Sequence, residues 1–61
     1  MSNNNFIQRL INENQAKIDS YTEQAASADG EKFEELTQRV THHQNEINNY
    51  KQIQEQVLQV D

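Results

Sequence analysis

A single glycine, Gly30, stands near the midpoint of a 61-residue chain that has no proline. These two residue types interrupt helices most strongly, at ~1 and ~3 kcal/mol in a helix interior. A chain with one such site is constrained to helix, break and helix. The residues around the break agree. Asp29 favours a helix N-cap, and Gly30 tolerates the left-handed conformation that ends helices. Glu31, Glu34 and Glu35 then suit the positive end of a second helix dipole. The predicted fold class is all-α: an antiparallel, coiled-coil-like two-helix hairpin in one domain over residues 1–61. Its helices are expected over about 5–28 and 31–59, with the turn at 29–30.

The apolar spacing gives each helix a seam. Asn5 reads as the first N-cap, with Gln8 three residues on as in a capping box. From there Ile7, Ile11, Asn14, Ile18, Tyr21, Ala25 and Ala28 alternate steps of four and three, which is heptad spacing. Phe33, Leu36, Val40, His43, Ile47, Tyr50, Gln54 and Val57 repeat the pattern. In the first helix Ile11, Ile18 and Ala25 are at a, and Ile7, Asn14, Tyr21 and Ala28 at d. In the second, Phe33, Val40, Ile47 and Gln54 are at a, and Leu36, His43, Tyr50 and Val57 at d. An unbroken frame would place Lys32 at a core position where Phe33 is the apolar residue. The slip falls on Asp29–Gly30 and predicts a turn rather than one long helix. Folding there pairs Ala28 with Phe33, Ala25 with Leu36, Tyr21 with Val40 and Ile18 with His43. Asn14 then meets Ile47, Ile11 meets Tyr50, and Ile7 meets Gln54. The expected hairpin core is Ile7, Ile11, Ile18, Tyr21, Ala25, Phe33, Leu36, Val40, Ile47, Tyr50 and Val57. Asn14, His43 and Gln54 are polar residues at core positions, a device that fixes register and oligomer state at a cost in stability.

So short a chain buries little of its surface, and small scaffolds need a staple: a disulfide, a metal or self-association. The chain has no Cys, so a disulfide is excluded. Its apolar fraction is 33 %, below the roughly 45–50 % of globular domains, which suits a fold that buries one stripe. Beside the seam, the positions near the turn are polar: Gln15, Lys17, Thr22, Gln24, Lys32, Thr37, Arg39 and Gln44. Those at the open end include Phe6, Leu10, Ile53, Leu58 and Val60. The expected partner is therefore a second copy, in a dimer or tetramer that joins open halves through Phe6, Leu10, Ile53 and Leu58. Another protein is a further possible partner for the stripe.

Other functions find less support. The formal charge is −5, and Arg9, Lys17, Lys32, Arg39 and Lys51 are scattered among ten acidic residues, which argues against nucleic acid. Glu13–Lys17 and Glu35–Arg39 read instead as i,i+4 pairs supporting the helices. No apolar run reaches membrane-spanning length and no signal-peptide pattern occurs, so no membrane partner and a cytoplasmic location are expected. His42-His43 with Glu46 is the one group resembling a metal site. Di-metal bundles use the order Glu-x-x-His, whereas His43 and Glu46 run the other way, and no Glu occupies a core position. His43 is accordingly read as a seam residue and His42 as solvated, with no metal and no cofactor assigned. No nucleophile–base pair or phosphate loop stands out, so no catalytic residue is assigned.

Two near-equal helices, a turn beside Asp29-Gly30 and heptads across the chain resemble the layout of the Rop family of plasmid RNA-binding hairpins. The resemblance implies a hairpin that pairs into a bundle. Rop-type recognition uses basic residues and an aromatic on one helix face, and those positions have no match here, so RNA binding does not carry over. The favoured expectation is a non-catalytic, self-associating interaction module. The alternatives are an acidic, phage-type inhibitor that mimics nucleic acid, and a Rop-like RNA-binding regulator.

Overall fold

The computed structural model describes residues 3–59, and the side chains of residues 5–56. It has two helices, α1 (Asn3–Ala26) and α2 (Gly30–Gln59), and no strand among the described residues. The molecule measures 48 × 16 × 10 Å, the shape of two helices side by side without a third layer. The all-α helical hairpin is therefore what the chain forms.

Both helix starts and the turn differ from expectation by a few residues. α1 already runs through Asn5, so Asn5 is not its N-cap. Gln8 does not close a capping box either, because its side chain is engaged elsewhere: it donates to Asn12 Oδ1 (3.0 Å) and accepts from Gln54 Nε2 (2.9 Å). α1 stops at Ala26 rather than residue 28. Its last turn tightens, with Ser27 N–H donating to Gln24 O (3.3 Å) and Ala28 N–H to Ala25 O (3.1 Å). Residues 27–29 make the crossing, a length within the two to five residues that join antiparallel helices. Asp29 does act as the N-cap, its carbonyl accepting Phe33 N–H (3.4 Å). Gly30 follows at φ 61°, in the left-handed region.

The seam buries Ile7, Ile11, Ile18, Leu36 and Ile47, with Ile47 only 1 % exposed. Val40 and Tyr50 pack partly buried against the four isoleucines. Tyr21 and Ala25 are also half-buried, at the edges of the seam. Asn14 is buried beside the isoleucines, His43 is half-buried, and so is Gln54. His43 contacts Asn14 on one side and Tyr21 on the other, either side of its expected partner Ile18.

Phe33 departs from its expected place in the core, being 48 % exposed. Its intended neighbour was Ala28, which lies beyond the end of α1. The ring lies beside the last turn of α1, whose small side chains Ala25 and Ala26 leave it half exposed. Val57, the last expected core residue, lies outside the described side chains.

Exposed faces are tied along each helix by i,i+4 contacts between side chains. Gln15 donates to Asp19 (3.1 Å), Gln24 to Ser20 (3.2 Å) and Gln44 to Asn48 (3.3 Å). Arg39 pairs with Glu35 at 3.1 Å, as expected. No ion pair joins Glu13 and Lys17; such a pair is worth only ~0.2–0.5 kcal/mol, no more than the cost of ordering two long side chains.

The turn yields a direct test. A Cβ on Gly30 would meet nothing within 4 Å, so the whole penalty of Gly30→Ala lies in its positive φ. Urea denaturation should show a loss of about 1–2 kcal/mol. At the other extreme, Ile47→Ala should cost about 2–5 kcal/mol, enough to unfold much of so small a protein at room temperature.

Candidate functional site

The seam positions have two flanks. Arg39 lies over Tyr21 on one flank, where position g of α2 meets d of α1. Thr22 and Thr37, both at e, line the other.

On the first flank, midway along the rod, polar and aromatic side chains form a connected row. It starts at Asn14. The Asn14 Nδ2 donates to the Leu10 carbonyl at 2.9 Å, one helical turn back. That bond orients the amide so that Oδ1 faces α2, where it lies 2.8 Å from His43 Nδ1. An amide oxygen only accepts, so Nδ1 of His43 carries the proton. The bond crosses from α1 to α2 at a buried residue, which satisfies groups that would otherwise cost ~1–3 kcal/mol each.

The His43 ring stacks on Tyr21, with centroids 5.7 Å apart and planes at 18°. On its other side His42 meets it edge-on at 5.2 Å. Arg39 closes one end of the row, its guanidinium 5.7 Å from the Tyr21 ring centre. Contact with the Tyr21 side chain, and then with Glu35, raises the Arg39 pKa further above its already high value. Glu46 closes the other end, 2.7 Å from His42 Nε2 and 3.9 Å from His43 Nδ1.

The second feature is apolar. An open groove of about 360 Å³ runs along the e flank near the turn, lined by Thr22, Ala25, Ala26, Phe33, Thr37 and Val40. Phe33 lines it together with the small side chains of Ala25 and Ala26 at the end of α1, which leave the space open. Apolar surface is thus not confined to the open end, contrary to expectation. The signal that was missed is Ala26, which lies outside the a/d frame, together with the methyl groups of Thr22 and Thr37.

The expected interface residues stand as follows. Phe6 is 62 % exposed and Ile53 42 % exposed. Leu10 is half-buried. Leu58 lies outside the described side chains. By the heptad frame Leu10 and Ile53 share position g, on the flank opposite the groove. Among the described residues, no helix is long and apolar enough to cross a membrane.

No protein-family model, no curated protein and no solved structure matches this chain.

The buried polar pair gives a prediction. Asn14→Ala should leave the His43 N–H without its partner and cost about 1–3 kcal/mol. Replacing Asn14 and His43 together by Leu should instead hold or raise stability in urea denaturation, because an apolar layer removes the desolvation cost. A double variant as unstable as Asn14→Ala would mean that the bond contributes net stability of its own.

Proposed function

We propose that this protein is a non-catalytic interaction module: a helical hairpin that self-associates through its open end and presents its groove to a protein partner. One observation carries the reading. A two-helix rod with five buried hydrophobic residues among those described leaves Phe6, Phe33 and Ile53 between 42 and 62 % exposed. Burying a large apolar side chain fully is worth roughly 1.5–3 kcal/mol, so covering the exposed part of each contributes about 1 kcal/mol.

Phe6, Leu10 and Ile53 sit together near the termini, on the g flank. Joining like ends places apolar side chains against apolar ones around a two-fold axis, an isologous contact. The gain for a pair of chains is a few kcal/mol beyond the coverage of the seam itself. It competes with an association cost of ~4–15 kcal/mol, so assembly is concentration-dependent. A full-length antiparallel stack would cover more seam, but would set Leu10 and Ile53 against Lys17, Gln24 and Arg39.

The groove beside Phe33 lies on the opposite flank and at the opposite end. Association through open ends leaves it free, and its alanine floor and threonine walls suit the apolar face of a partner helix. The acidic balance of the chain and the absence of a membrane-spanning helix among the described residues are consistent with a soluble, cytoplasmic role.

Sedimentation of two variants tests the geometry. Ile53→Asp should dissociate the oligomer, whereas Arg39→Asp, on the same flank but near the turn, should leave it largely intact. Equal loss from both would favour the full-length antiparallel bundle, and a wild-type monomer at every concentration would remove the proposal.

A further inference from the structure

The polar row at the centre of the rod contains a set of metal-binding atoms drawn from both helices. His42, His43 and Glu46 bring two imidazoles and a carboxylate within 4.8 Å of one another on one turn of α2. His42 Nε2 is 2.7 Å from Glu46 Oε1, and His43 Nδ1 is 3.9 Å from that same oxygen. The fourth atom belongs to α1: Asn14 Oδ1, 2.8 Å from His43 Nδ1. An ion bound tetrahedrally at about 2.0–2.2 Å sets its ligand atoms roughly 3.3–3.6 Å apart. The separations of 2.7, 2.8 and 3.9 Å fall on both sides of that value, and the His42, His43 and Glu46 atoms all lie within 4.8 Å of one another, so side-chain rotations are what closing the four atoms around one ion requires.

Two ligands are already held. His43 is oriented by the stack on Tyr21, and Asn14 by its bond to the Leu10 carbonyl. The other two, His42 and Glu46, are exposed enough to adjust at little cost. An ordinary i,i+4 contact would account for His42 and Glu46 alone. It does not account for a half-buried imidazole held between them and a buried amide of the other helix.

We propose that His42 Nε2, His43 Nδ1, a Glu46 carboxylate oxygen and Asn14 Oδ1 form a site for one divalent transition-metal ion of the zinc class. Two imidazoles with one carboxylate favour zinc and its neighbours over magnesium or calcium, which take oxygen ligands almost exclusively. The ion takes the place of the His43 Nδ1 proton, the neutral ring carrying its proton on Nε2 instead; acid protonates the imidazoles and the carboxylate that must be free to ligate, so binding weakens as pH falls. Because Asn14 lies on α1 and the other three on α2, the ion bridges the helices of a chain that has no Cys to do so. Binding to the folded hairpin alone raises its stability by mass action.

The test is calorimetric titration of metal-free protein with zinc chloride, at a mildly acidic and at a neutral pH, alongside thermal unfolding with and without zinc. The expected results are a single zinc per chain, weaker binding at the acidic pH, and a higher unfolding temperature with zinc. His42→Ala removes an exposed ligand without touching the seam, and Asn14→Leu removes the cross-helix ligand while keeping the seam filled. Circular dichroism checks that both remain helical. Each should weaken zinc binding by about tenfold or more, since even outer-shell partners of metal ligands are worth that much. Wild-type affinity in His42→Ala, wild-type affinity in Asn14→Leu, half a zinc per chain, or an unfolding temperature that ignores zinc would each overturn the proposal.

Discussion

The structure depends on one stripe of contact between two helices. Among the described residues, Ile7, Ile11, Ile18, Leu36 and Ile47 are the apolar side chains that the hairpin buries. Two helices side by side offer each other one face apiece, and the rest of each cylinder meets solvent. Lengthening the helices extends the stripe without widening it. Other features follow from this limit: polar residues crowd the outer faces, flanks beside the stripe stay half-open, and Phe6 and Ile53, off the seam, are exposed.

Within so narrow a core the Asn14–His43 bond has more effect than its energy suggests. Isoleucines at regular spacing permit several registers, since sliding one helix by a heptad replaces one apolar layer with another. A buried amide and an imidazole are satisfied in one register only. Their bond crosses the hairpin at 2.8 Å, and Gln54 to Gln8 makes a second crossing at 2.9 Å nearer the open end. Alignment comes from these polar contacts, and cohesion comes from the isoleucines. The same polar layer, with Tyr21 and His42 beside it, is where the molecule gathers most of its chemistry.

Much of this was legible in the chain itself, for identifiable reasons. The lone Gly30 marks the turn because only glycine adopts φ 61° without strain. The seam is visible because a four-three alternation survives any modest error in helix ends. Phe33 departs from the seam because the heptad pattern says nothing about where α1 stops, and its last turn tightens at Ser27 and Ala28, before Ala28 can stand on a helix face. The groove was missed for the same reason. The His42–His43–Glu46 cluster was visible as residues on one helix, but the contribution of Asn14 depends on a contact between positions 29 residues apart. No local pattern specifies that contact. It follows only from the register and from the bond that turns the amide toward α2.

The central claim is the proposal that the hairpin covers its open end by associating with copies of itself, so that folding and assembly are linked. Thermal unfolding followed by circular dichroism over about a hundredfold range of protein concentration tests it most directly, because an oligomer gains stability by mass action and a monomer does not. The account predicts an unfolding temperature that climbs steadily with concentration. A helical protein whose unfolding temperature stays constant across that range would contradict it.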